Sequence, residues 1–246
     1  MQFEISPDAL ANKIILITGS GDGIGKQLAL DCAKAGATTI LLGKTVEKLE
    51  QVYDQICQNN WPQPAIVPMD LNGANESHYQ GLATTIEEQF GKLDGLVLNA
   101  GQLGTLRPLA QIPLDEWSEV MQVNVTSQFL MLKTLIPVLQ KAQHASVVFA
   151  SSGVGRKGRA YWGCYSVSKF ASDGLMQSLA DEYANSSLRF NAVNPGATHT
   201  AMRTKAYPAE NISSLKKPED VVAPYLYLLS DSSIGQNGLF VEAQPK

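Results

Sequence analysis

The chain has 246 residues, a formal net charge of −4 and 44% hydrophobic residues. That is enough apolar material for one α/β domain with a sizeable core, and the acidic balance argues against nucleic acid as the main partner. The first seven residues lack the basic and apolar regions of a signal peptide. No apolar run approaches the roughly 20 residues of a membrane span, so a cytoplasmic protein is expected.

The first apolar run predicts a strand over Lys13–Thr18, followed by Thr18-Gly19-Ser20-Gly21-Asp22-Gly23-Ile24-Gly25. A helix with Ile24, Leu28, Cys32 and Ala35 on one face comes next. Counting excludes a Walker A loop, because Ser20 and Gln27 occupy positions that need Gly and Ser or Thr. The G-x-G-x-x-G spacing fails as well, since Ile24 and Lys26 stand where its last Gly belongs. What remains is T-G-x-x-x-G-x-G, carried by Gly19, Gly23 and Gly25. Such a loop lets backbone approach a pyrophosphate, and the helix N-terminus offers it free N–H groups.

The second strand, Thr39–Leu42, runs into Gly43-Lys44-Thr45. An NAD site usually places an acid here to bond the ribose 2′-hydroxyl. Lys44 instead favours a 2′-phosphate, while Asp22 opposes it, so NADP(H) is expected, with NAD the second possibility. The third strand, Ala65–Met69, leads into Asp70-Leu71. The following helix shows Tyr79, Leu82, Ala83, Ile86 and Phe90 on one face. A fourth strand, Leu93–Asn99, opens into Asn99-Ala100-Gly101, and a long helix around Leu114–Val138 carries Asn124 and ends near Pro137.

The fifth strand, Ser146–Ser151, delivers Ser152. Arg156-Lys157-Gly158-Arg159 then reads either as a solvated loop or as an attractor for an anionic substrate, and Tyr161 and Trp162 as pocket lining or core. The helix Tyr165–Tyr183 sets Tyr165 and Lys169 at i and i+4, on one face. There the ammonium can lower the phenol's pKa, and the phenol can trade a proton with an alcohol or carbonyl oxygen. The Ser152 hydroxyl could hold the same oxygen. Strands Arg189–Val193 and Gly238–Val241 complete the chain, the first followed by Asn194-Pro195-Gly196. His78, His144 and His199 show no ligand spacing, and neither do Cys32, Cys57 and Cys164, so no metal is implied and reduced thiols are expected. No G-x-S-x-G motif is present.

Strands alternating with helices predict an α/β fold: one doubly wound, Rossmann-type domain over 1–246, with a seven-stranded parallel sheet and helices on both faces. Ligand is expected outside the carboxyl ends of the strands. Thr18, Asn99, Ser152 and Asn194 all fall at such ends.

Taken together, these separated motifs resemble the classical short-chain dehydrogenase/reductase family along nearly the whole chain, close to its ketoacyl-carrier-protein reductase type. The resemblance implies a carbonyl/alcohol oxidoreductase. Tyr165 would be its acid or base, Ser152 would polarise the carbonyl, and Lys169 would hold the nicotinamide ribose. The thirteen-residue gap to Tyr165 selects Ser152 over Ser151. Asn124 would kink its helix and hold a water near Lys169. The cofactor would be met by Gly19, Ser20, Asp22, Gly23, Ile24, Gly25, Lys44, Asp70, Leu71, Asn99, Ala100, Gly101, Tyr165, Lys169, Pro195, Gly196, Thr198 and Thr200. Within that set Asp70 would bond the adenine, Asn99 would sit by the adenosine ribose and Thr200 would bond the carboxamide. Residues 198–218 would form a substrate loop, the substrate would be a small carbonyl compound or alcohol, and relatives imply a homodimer or homotetramer. A catalytically idle dinucleotide-binding regulator is the alternative reading.

Overall fold

The structure, a computed structural model, describes residue 3 and residues 5–245. The apolar runs become strands β1 (Ile14–Thr18), β2 (Thr38–Gly43), β3 (Ala65–Pro68), β4 (Gly95–Leu98), β5 (Ala145–Ala150), β6 (Leu188–Asn194) and β7 (Phe240–Glu242). They form a single parallel sheet in the order β3-β2-β1-β4-β5-β6-β7. Between them lie helices α1 (Gly23–Lys34), α2 (Val46–Gln58), α3 (Glu76–Phe90), α4 (Leu114–Met121), α5 (Ser127–Leu139), α6 (Gly163–Glu182), α7 (Ala201–Ala206) and α8 (Ala223–Leu229). The expected seven strands are therefore present, with ends displaced by one or two residues. The loss is largest at β4, where Leu93 and Asp94 precede the first ladder pair.

Strand side chains alternate between two helix layers, as a period of two requires. Leu16, Leu42, Leu96 and Phe149 pack with Tyr79, Ile86, Leu135 and Met176 on one face. Ile15, Leu41, Val97 and Val148 pack with Leu28, Leu49, Val52 and Leu228 on the other. Each such side chain contributes about 1.5–3 kcal/mol by leaving water, which explains why strands buried on both faces read as unbroken apolar runs. The predicted face of α1 is buried at Leu28, Cys32 and Ala35, whereas Ile24 is half-exposed.

The long helix expected over Leu114–Val138 is three pieces. One turn of π-helix, Gln122–Thr126, separates α4 from α5. Pro137 does not end α5, which runs on to Leu139. Its missing N–H leaves the Lys133 carbonyl without its usual helical donor, a loss of one bond that α5 tolerates. Among the described residues no helix is long and apolar enough to cross a membrane.

Candidate active site

The strand order reverses direction between β1 and β4, and the carboxyl ends of these strands open a crevice where ligands bind in such sheets. Thr18 ties the two ends together. Its Oγ1 donates to the Val97 carbonyl (3.2 Å) and accepts from the Asn99 and Ala100 amides at 3.0 and 2.9 Å. Asn99 completes the clamp by donating from Nδ2 to the Thr18 carbonyl (3.0 Å). Gly19 takes the left-handed conformation, with φ +69°, at this crossing. A Cβ on Gly25 would lie 2.1 Å from the Gly19 carbonyl oxygen, so only glycine lets the loop close on itself.

A cavity of about 710 Å³ opens beside this loop. Its walls include Gly19, Asp22, Gly23, Ile24, Lys44, Asp70, Leu71, Asn99, Ala100, Gly101, Tyr165, Lys169, Pro195 and Thr200, all expected from the sequence. Six expected residues do not line it, Ser152 and Asn124 among them. Ser20 is fully buried beneath the loop, its hydroxyl donating to the Leu42 carbonyl (3.3 Å), and Gly25 is an internal contact of the loop. Gly196 shapes the turn after β6 with φ +72°. Thr198 is buried and its hydroxyl turns back to the Pro195 carbonyl (3.3 Å). The Asn99 amide serves the loop backbone rather than a ribose, Asp70 caps its own turn by accepting from the Asn72 amide (3.0 Å), and Thr200 caps α7 by accepting from the Arg203 amide (3.2 Å).

At the adenosine end the charge pattern differs from expectation in one respect. Asp22 caps α1, accepting from the Gly23 amide at 2.7 Å, and forms an ion pair with Lys48 of α2. Lys48 lowers the Asp22 carboxyl's pKa. The acid that opposes a 2′-phosphate is thus matched by a base. Lys48 was not expected. Its signal was only a cation one turn into the helix after Lys44.

At the opposite wall β5 stops at Ala150, and two serines follow. The Ser151 hydroxyl is buried and donates to Asp173 Oδ2 at 2.9 Å. Ser151 borders the cavity with its hydroxyl turned to Asp173, while the Ser152 hydroxyl stands beside the Tyr165 phenol. Tyr165 and Lys169 project from α6 into the same cavity. The Lys169 ammonium donates to the Ala150 carbonyl (2.6 Å) and lies 5.6 Å from the centre of the Tyr165 ring.

The expected depression of the phenol is not what this arrangement produces. Burial pushes the Tyr165 pKa up to about 12, and the Ser152 hydroxyl opposes that rise. The ammonium itself is pushed down to about 8 by burial, with the Asp173 carboxylate resisting. The Lys169 ammonium, 5.6 Å from the ring centre, does not offset that burial. Asn124 is fully buried at the π-turn. It accepts from the Gln102 amide (2.7 Å) and donates to the Gln102 carbonyl and to Ser168 Oγ (both 2.9 Å). Both amide protons are engaged, so a water toward Lys169 would have to bond the remaining Oδ1 lone pair or a carbonyl of the π-turn.

A glycine loop at the crevice of a doubly wound sheet, facing Tyr165 and Lys169 across one cavity with Ser152 beside the phenol, is the arrangement of a dinucleotide-dependent oxidoreductase. The chain belongs to the short chain dehydrogenase family, whose sequence profile matches residues 13–211. It is 44% identical over 245 residues to the uncharacterised oxidoreductase YciK of Escherichia coli (strain K12), spanning 100% of this chain and 97% of that one. A solved short chain dehydrogenase from Escherichia coli CFT073 complexed with NADPH is 45% identical with a TM-score of 0.95, over 98% of this chain and 100% of that one. A cyclohexanol dehydrogenase from Acinetobacter sp. (strain SE19) is 29% identical over 94% of this chain and 92% of its own length.

Proposed function

We propose that the protein is an NADP(H)-dependent oxidoreductase that interconverts a carbonyl and a secondary alcohol. The observation that carries this reading is that Tyr165 and Lys169 line the same cavity as the glycine loop, with Lys44 at its far end. The cavity fits the cofactor on chemical grounds: loop amides and the α1 N-terminus suit a pyrophosphate, and Lys44 with Lys48 suits a 2′-phosphate. The NADPH complex of the 45% identical neighbour supports it.

Bound NADP(H) supplies or takes up a hydride at its nicotinamide. In reduction the Tyr165 phenol gives its proton to the substrate oxygen as the carbonyl carbon receives the hydride. With a pKa raised to about 12 the phenol holds that proton at neutral pH. The Ser152 hydroxyl donates to the same oxygen and stabilises its developing charge. Lys169, anchored on the Ala150 carbonyl, presents its remaining N–H groups to the ribose hydroxyls. Asn124 positions the 102 backbone and Ser168 around it. Residues 198–218 cover the substrate side, with Met202 and Lys205 of α7 already in the cavity wall.

Tyr165→Phe tests the assignment. Turnover should fall by at least about 10²-fold, the usual worth of a positioned proton donor, while NADPH affinity stays within a factor of about two. Undiminished turnover would sink it, and wild-type protein that binds NADPH but reduces no carbonyl would favour a binding-only role.

We also propose self-association through α5 and α6. Much of the apolar surface of these helices is internal: Leu132 of α5 and Met176 of α6 are buried within the subunit. What stays outside is Phe129 (50% exposed), Phe170 (47%) and Val167 (40%), a patch that a two-fold contact would bury on both partners. Light scattering should give an even multiple of 26.5 kDa, and a monomer mass would refute the contact. Three free cysteines fit a reducing, cytoplasmic setting.

A further inference from the structure

Three aromatic rings form a continuous wall that starts at the reacting phenol. Trp162 lies 5.8 Å from Tyr165, centre to centre, and Tyr207 lies 6.0 Å from Trp162. Tyr207 comes from the segment after α7, so residues 198–218 meet the Tyr165 helix through this contact. Just before Trp162, Tyr161 adopts φ +72°, a left-handed conformation that side-chain-bearing residues rarely take. The Trp162 amide donates to the Arg159 carbonyl (3.2 Å), closing the same turn. That turn sets the Arg159 backbone beside Trp162, with the Arg159 side chain exposed. The apolar rim continues through Leu109 (60% exposed) and Tyr161 (62%).

The cations around this wall are not equivalent. Arg203 lies 4.2 Å from the Tyr207 ring centre, but Glu210 neutralises it through two N–H···O bonds, one of 2.6 Å. Arg156 is stacked 3.7 Å above the Phe240 ring of β7. Arg107 pairs with Glu116. Arg159 is different: its guanidinium carbon is 5.8 Å from the Tyr207 ring centre, and among the described residues it has no acidic partner. A guanidinium held at the end of an apolar wall, with its fork of donors unmatched, suits a carboxylate.

We propose that the carbonyl substrate has an apolar body lying along Trp162 and Tyr207 and a carboxylate at its far end, received by Arg159. The inference rests on the oxidoreductase reading above and names the substrate class for that same site.

The test follows NADPH absorbance with the full chain and oxo acids of graded length, such as 4-acetylbenzoate, each beside its methyl ester. For at least one length, kcat/KM for the acid should exceed that for the ester by about tenfold, the usual worth of a charge-assisted contact, and should fall as salt is raised. Arg159→Gln should bring the acid-to-ester ratio close to one, mainly through KM, whereas Lys157→Gln should leave the ratio as it is. Equal use of acids and esters by the wild type at every length would overturn the proposal while leaving the oxidoreductase reading intact. So would an Arg159→Gln variant that loses both activities equally, the mark of a purely structural residue. If NADPH binds but no carbonyl compound, charged or neutral, is reduced, the oxidoreductase reading fails and the substrate class fails with it.

Discussion

Replacing Lys169 with Met should stabilise the cofactor-free protein even as it stops turnover. The Lys169 side chain is buried, and its pKa is pushed from the ordinary 10.5 to about 8. A gap of about 2.5 pH units corresponds to roughly 3 kcal/mol that opposes folding when the amine is charged. Methionine of similar length fills the space without that penalty. It forfeits the bond to the Ala150 carbonyl, which returns about 1–2 kcal/mol of the gain, while the attraction to Asp173 is already contained in the pKa of about 8. The net expectation is about 1–2 kcal/mol, or roughly 2–8 °C in Tm for a chain of this size.

The pH dependence is the sharper readout. Below pH 8 the lysine is protonated in both folded and unfolded chains, so the full penalty is present. As pH rises from about 8 to 10.5 the folded protein releases the proton before the unfolded one does, and the penalty fades. The advantage of the Met variant should therefore be largest at pH 7 and should shrink by pH 10. Urea unfolding of both proteins at the two pH values measures it. A variant less stable at pH 7, or a difference that does not move with pH, would refute the reasoning.

Lys48→Glu should weaken NADPH binding by about tenfold or more relative to NADH, since it removes one cation and leaves Asp22 unpaired beside the expected 2′-phosphate; fluorescence titrations with both cofactors decide this, and equal losses for the two would count against it. Asp173→Asn removes the carboxylate that resists the fall of the Lys169 pKa, so the ammonium should lose its proton below pH 8. The alkaline limb of the kcat/KM profile should move to lower pH, and a profile that drops in height without moving would show that Asp173 acts only on structure.

The strands were legible because β1, β4 and β5 are covered on both faces and must be apolar throughout. Their ends were less so, because hydrogen-bond partners on neighbouring strands set them. The π-turn was legible only through the family resemblance, which put a kink at Asn124, since by its residues Gln122–Thr126 reads as ordinary helix. Spacing favours Ser152 over Ser151, and the Ser151 hydroxyl is turned to Asp173, yet Ser151 is the serine that borders the cavity. Ser20, Gly25, Gly196 and Thr198 belong to the right motifs, but a motif does not distinguish a residue that faces the cavity from one that holds the backbone behind it. The Tyr165 pKa was misjudged because i,i+4 spacing reports proximity and says nothing of burial. Lys48 was missed because its relation to Asp22 exists only once α2 folds back beside the glycine loop.

The strand order also sets a schedule for a chain leaving the ribosome. Residues up to about 100 contain β1, β2, β3 and β4 and nearly all of the adenosine-side wall. Ser152, Tyr165 and Lys169 emerge later, and β6 must then add to the free edge of β5. Each parallel pairing spans a helical crossover, so the sequence separations are long and assembly is slow. A nascent chain can thus form its glycine-loop side well before the proposed catalytic residues emerge, and early cofactor capture would favour the half-built sheet over its aggregation-prone alternatives.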